Sequence, residues 1–232
     1  MICSRSLQHA LGCALGAATL LVSSGAFAQT FGEKGQLAIS AERLFGYAHS
    51  SQTTSAAGGD VTYKYESFAL LSSPIATGPN ELIYNPPRIA GDYFVIDNLS
   101  VGAALGYSNM SVTVPTTGNV LQQGPSGDSW LFAPRVGYSL LFSDIVGFWP
   151  RGGFTYRSFS GNDNTGGHVF ALTLEAPFTF MLIPHVVFTA GPTLDLGLGG
   201  SVDVGNINGA TVSEDFSTTE IGVQTALIAT VW

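Results

Sequence analysis

The sequence predicts an all-β chain, an antiparallel up-and-down transmembrane β-barrel of eight strands, with ten as the alternative. Three observations lead there. Large apolar side chains alternate with small or polar ones along most of the chain, and a period of two is the period of a strand. The alternating stretches run to about a dozen residues, longer than an ordinary strand of five or six and enough to cross a bilayer at a tilt near 45°. Short connections alternate with long ones, the pattern of a membrane barrel with tight turns at one end and long loops at the other. Only 10% of the 232 residues are charged and 29 are glycine. After the N-terminal segment no run of 18 apolar residues occurs, which argues against spanning helices. A soluble β-sandwich is the competing class for such a pattern.

The first element is not a strand. Arg5 supplies a positive start, residues 11–22 an apolar run, and Ala26-Phe27-Ala28 a small-x-small cleavage site. Residues 1–28 are therefore expected to be a signal peptide, cleaved between Ala28 and Gln29, and residues 29–232 the barrel domain. Cys3 and Cys13 both lie in that segment, so no disulfide or thiolate site is expected in the mature chain. Cleavage removes one basic residue and no acid, leaving seven basic and 16 acidic residues and a net charge of −9. That balance gives no basic patch for nucleic acid.

The strands follow in order. Residues 36–47 place Leu37, Ile39, Ala41, Phe45 and Tyr47 on one face and Gln36, Ala38, Ser40 and Glu42 on the other. Arg43 falls on the apolar face, so either it snorkels or a bulge shifts the register. Residues 48–87 read as an irregular outer excursion: a Ser/Thr/Gly loop, strand character at 61–71, then four prolines between 72 and 87. The 61–71 stretch is taken as the outer part of a second strand that resumes at Arg88. Residues 88–96 and 99–110 form a hairpin about Asp97-Asn98. Residues 112–128 read as a loop. Trp130, Phe132, Pro134, Val136, Tyr138, Leu140 and Phe142 then alternate with Leu131, Ala133, Arg135, Gly137, Ser139 and Leu141. Beyond Ser143-Asp144, Phe148, Pro150, Phe154 and Tyr156 alternate with Arg151, Gly153, Thr155 and Arg157. Residues 168–181 and 186–198 are the sixth and seventh strands, joined at Ile183-Pro184-His185. A Gly/Asn/Ser loop over 199–215 precedes the last strand, 218–232.

Taking the polar face as the lumen collects Glu42, Arg88, Asp92, Arg135, Arg151, Arg157, Glu175, Asp195 and Glu220. Four arginines among five carboxylates predict paired networks, because an isolated buried charge is very costly. Arg157 and Glu220 are expected at the rims, in water. An eight-stranded barrel has an interior that side chains fill, so a plugged lumen is expected. The alternatives are a small channel and a lipid A-modifying or esterase-type enzyme centred on His168 with Ser158 and Ser160. Spacing alone does not assemble a triad, and no catalytic activity, cofactor or metal site is expected. His49 and His185 read as surface, and Asn162-Asp163-Asn164 as turn chemistry.

The segments GQLAISAERLFGY, PRIAGDYFVIDNLSVGAALGYS, LFAPRVGYSLLFSD, WPRGGFTYRS and LTLEAPFTFMLIPHVVFTAGPTLDLGL resemble outer-membrane β-barrel proteins of myxobacterial type. More broadly they resemble the small OmpA/OmpX-like barrels. The resemblance implies the outer membrane of a Gram-negative cell, with lipid, lipopolysaccharide and the barrel-assembly machinery as partners, a monomeric state, and no defined activity. Ile228 and Trp232 are similar to a C-terminal assembly signal. With Glu220, Gln224 and Thr230 inward, however, the alternation turns Trp232 inward as well.

Overall fold

The computed structural model describes residues 30–56, 59–70, 86–115, 121–161, 166–205 and 211–232. The expected signal segment with Ala26 and Ala28, both cysteines and residues 162–164 lie outside them. Twelve strand segments follow in chain order: β1 (Leu37–Ala56), β2 (Gly59–Leu70), β3 (Arg88–Ile96), β4 (Leu99–Pro115), β5 (Leu121–Tyr138), β6 (Leu140–Leu141), β7 (Val146–Phe148), β8 (Arg151–Gly161), β9 (Gly166–Glu175), β10 (Phe178–Ile183), β11 (Val186–Gly205) and β12 (Thr211–Val231).

The sheet closes on itself. Its ring runs β1, β3, β4, β5, β8, β9, β11, β12 and back to β1, every pairing antiparallel. The barrel therefore has eight wall positions. Four of them hold two segments each, and in three of these a single wall strand is briefly interrupted. The wall strand containing β5 and β6 breaks at Ser139, that of β7 and β8 at Trp149-Pro150, and that of β9 and β10 at Ala176-Pro177. Proline has no N–H to give a ladder, and neighbouring donors bridge the breaks: Tyr138 N to Pro150 O at 2.9 Å, Trp149 N to Pro177 O at 2.9 Å, and Ala176 N to Pro192 O at 3.0 Å.

The second wall position is shared. β3 pairs with β1 over residues 37–42, and β2 pairs with the same edge of β1 over residues 45–56. This is the interrupted second strand the sequence suggests. The extent of the strands differs from the sequence reading. Residues 48–56 and 59–70 are a regular hairpin, not an irregular excursion. β4 and β5 run on to Pro115 and from Leu121, and β11 and β12 to Gly205 and from Thr211. These outer extensions are rich in Ser, Thr, Gln, Gly and Asp, a loop-like composition, while the backbone ladder that makes a strand continues through them.

Burial follows the pleat. Trp130, Phe132, Val136, Tyr138, Leu140 and Phe142 are exposed, and Leu131, Ala133, Arg135 and Ser139 between them are buried. The same parity holds around the ring and defines a greasy outside and a mostly polar inside.

Candidate functional site in the lumen

The lumen is built from the inward residues in three tiers. At the end where the chain turns at Asp97-Asn98 lies an apolar floor. Residues 30–36 precede β1 and fold back into it. Gly32 and Gly35 sit at φ 101° and 90°, which lets the segment bend sharply. Hydrogen bonds hold it there: Gly35 N to Phe94 O at 2.8 Å, Asn98 N to Gly32 O at 2.7 Å, and Gly32 N to Gln36 Oε1 at 2.8 Å. Phe31 is thereby driven edge-on against Phe94 and Trp149, with ring centres 5.3 and 5.1 Å apart. Ala38, Val187 and Ile228 complete this buried cluster.

The middle tier is ionic. Glu42 on β1 accepts from Arg135 at 2.7 and 2.8 Å, from Arg151 at 2.7 Å and from Arg88 at 2.9 Å. Arg135 also grips Asp92, with hydrogen bonds of 3.0 and 2.5 Å. Glu175 pairs with Arg88, with Arg151 at 2.8 Å and with Arg135 at 3.5 Å. Arg43 pairs with Asp195 at 3.2 Å and lies 3.6 Å from Glu175. The layer thus joins β1, β3, β5, β8, β9 and β11 and crosses the lumen. Trp149 links it to the floor. Its indole donates to Ser100 Oγ at 3.2 Å, and the Arg151 guanidinium lies 4.6 Å over its ring.

Space for these large groups comes from small neighbours. A Cβ on Gly137 would stand 2.6 Å from Trp149 Nε1 and 2.9 Å from Arg151 Cγ. The outer tier is hydroxyl-rich. Thr155 and Thr173 share a 2.6 Å hydrogen bond, and Thr173 passes one of 2.6 Å to Asp195. Arg157 donates to Ser129 at 2.8 Å, and Ser50 lies within hydrogen-bond reach of Thr218 and Glu220.

All nine residues singled out from the sequence point inward and are buried. Arg157 and Glu220 are not rim residues in water: they are 4% and 2% exposed, because the strands continue past them. The residue the sequence reading left on the wrong face is Arg43. The pairing of β1 with β12 skips between Glu42 and Gly46, and Arg43 sits at φ 56°. This is the bulge alternative, and it turns the guanidinium inward. With Arg43 the described lumen holds five arginines and five carboxylates. Ile228 is an inward floor residue, while Trp232 lies beyond the last strand residue and is exposed.

His168 faces outward, in a belt of rings with Tyr156 and Phe170. Its hydrogen bond among the described residues goes to Ser201 at 3.3 Å. Ser158 stands opposite it in register. Ser160 donates to Asp128, and Asp203 accepts from Ser213, so no carboxylate orients the imidazole among the described contacts. No group of metal-ligating side chains is present among the described residues.

No family model matches the chain, and no curated protein matches it. Solved structures do. The chain is similar to the outer membrane protein AlkL, at 12% identity and a TM-score of 0.51, covering 90% of this chain and 97% of that one. It is also similar to the outer membrane protein OprG from Pseudomonas aeruginosa, at 11% identity and a TM-score of 0.49, covering 86% and 99%. The feature shared with AlkL is the fold, an antiparallel β-barrel of the outer-membrane type.

Proposed function

We propose that the chain is an integral outer-membrane β-barrel with a structural or surface-interaction role, and that its lumen conducts nothing along the axis. The observation that carries this reading is the ion layer spanning six wall strands above a packed aromatic floor. A small barrel filled in this way spends its interior on holding the wall closed. Its outward apolar surface suits lipid and lipopolysaccharide, delivery falls to the barrel-assembly machinery, and the barrel works as a monomer without catalysis. Planar-bilayer recording tests it: the refolded protein should show no discrete conductance, and steady unitary openings would overturn the filled-lumen reading. Fractionation should place the protein with the outer membrane. In parallel, purified protein should leave lipid A and model esters intact. Turnover that His168→Ala abolishes would replace this reading with the enzymatic one.

A further inference from the structure

The rim of the barrel at the short-turn end, periplasmic in barrels of this type, is uneven. On one half the wall stops at the turn Asp97-Asn98, and the last bond across to that turn is Ser139 N to Asn98 O at 2.7 Å. Beside it the wall strand of β5 and β6 runs on to Phe142, about 10 Å farther along the strand. There β6 pairs with β7 alone among the described residues, β7 also with β10, and β10 with β11. Together these segments form an apron that hangs from half of the rim. The other half is charged: Lys34 and Asp97 are exposed on it, and Lys34 N donates to Asp97 Oδ1 at 2.9 Å.

The apron has two faces. Leu141 and Met181 pack inward against the Phe31–Trp149 cluster, and Gly147 and Thr179, opposite each other, are buried between them. The alternate positions face the other way, away from Phe31 and the segment that carries it. In one row Leu140, Phe148 and Phe178 stand side by side, the two rings 5.3 Å apart. In the next, Phe142 N donates to Val146 O at 2.9 Å, Val146 stands opposite Phe180, and Phe180 opposite Phe188. Leu182 follows at the tip. No polar side chain interrupts these rows, and Phe142 and Leu182 are 64% and 58% exposed.

From this we infer that the outward face of the apron is a docking surface for the acyl chains of inner-leaflet phospholipid. Hydrocarbon then reaches Phe142 and Leu182 on this half of the barrel and stops at the level of Asp97-Asn98 on the other. Continuity selects the partner. Leu140 and Phe142 extend the outward file of Trp130, Phe132, Val136 and Tyr138 without a break, so whatever wets the wall wets the apron. A contiguous apolar patch of this kind does not face water. A protein interface of the same size would carry about one hydrogen bond per 100–200 Å², and the side chains of these rows offer none, whereas acyl chains ask for none. A bilayer meets an uneven rim by a tilt of the spanning unit or by local thickening, either at modest cost.

The inference rests on the barrel lying in a membrane, and the test separates the two. The chain from Gln29 onward has no cysteine, so Phe142→Cys, Leu182→Cys, Val136→Cys and Lys34→Cys each offer one site for a nitroxide spin label. Each variant is folded into phosphatidylethanolamine–phosphatidylglycerol vesicles, and heat-modifiable migration verifies the fold. Collisions of the label with oxygen, which dissolves in hydrocarbon, are compared with collisions with a nickel chelate, which stays in water. Val136 is the reference for the outer wall and Lys34 for the charged half of the rim. The expected oxygen-to-nickel ratio is high at 136, low at 34, and at 142 and 182 nearer to that at 136. If Phe142→Cys does not fold, Leu182→Cys on the next hairpin decides. A ratio at 142 or 182 that matches 34, while 136 favours oxygen, overturns the docking surface alone. So does exclusion of both colliders from 142 and 182, the mark of a protein contact. A label at 136 that favours nickel overturns the membrane reading together with the inference.

Discussion

Truncating Arg135 to alanine is the sharpest test of how the barrel is held. Arg135 donates four hydrogen bonds of 2.5–3.0 Å to two carboxylates, Asp92 and Glu42. Glu42 keeps Arg88 and Arg151 when Arg135 is removed, but the ion pair that Asp92 makes among the described contacts is lost. Removing one member of a buried pair costs about 3–5 kcal/mol, most of it the burden of the stranded charge. At about 1.4 kcal/mol per tenfold, the unfolded fraction rises by two to four orders of magnitude. The assay is a urea titration of barrel refolded in phospholipid vesicles, read by tryptophan fluorescence and by heat-modifiable gel migration. Lys64→Ala, an exposed cation, is the reference and should stay within about 0.5 kcal/mol of the parent. Arg135→Lys should fall between, since an ammonium keeps the charge but cannot make two forked pairs. Asp92→Asn combined with Arg135→Ala should cost less than the sum of the single changes, by about 1–3 kcal/mol. A parent-like titration of Arg135→Ala would refute the view that this layer stabilises the wall.

Three further outcomes are expected from the same titration. Phe31→Ala opens a cavity among Phe94, Trp149 and Ile228 and should lose about 3–5 kcal/mol; bilayer recordings should stay silent, because the ion layer above is untouched. Gly137→Ala forces a methyl group against Trp149, Ser100 and Arg151 and should cost about 1–3 kcal/mol by overpacking. Arg43→Ala takes from Asp195 its arginine partner and should cost about 3–5 kcal/mol; a loss no larger than that of the exposed Lys34→Ala would show that Arg43 points out of the barrel.

Most of the wall is legible in the sequence where one face meets the lumen and the other is apolar, because there the chemistry of alternate residues differs. Residues 130–142 are the clearest case. Legibility stops where both faces are polar. β1 above Tyr47 carries Ser, Thr and Gln on both sides, so only its backbone pairing marks it as a strand, whereas β2 keeps the alternation of Val61, Tyr63 and Tyr65 with Thr62, Lys64 and Glu66. Parity counting also fails inside a bulge. The even-numbered residues face inward both before and after the skip, and Arg43 joins them because it stands in the bulge itself, at φ 56°. The floor was illegible for another reason. Phe31 lies in a non-strand segment with no periodicity, and its burial depends on Phe94 and Trp149, far along the chain.

A simpler signal would have found Arg43. Of the seven basic residues after Arg5, five are arginines and two are lysines. All five arginines are buried, and Lys34 and Lys64 are both exposed. The chemistry explains the division. A guanidinium is weakly hydrated and offers a planar fork that can satisfy two carboxylates at once, whereas an ammonium is a strongly hydrated point charge that loses more on leaving water. A narrow lumen that must stay closed selects the first and excludes the second. It also requires balance, and five arginines against five carboxylates meet it, with hydroxyls completing the outer tier. Among the described residues, the other carboxylates lie outside this layer, in the segment before β1, in turns and in the outer parts of the strands, where water screens them.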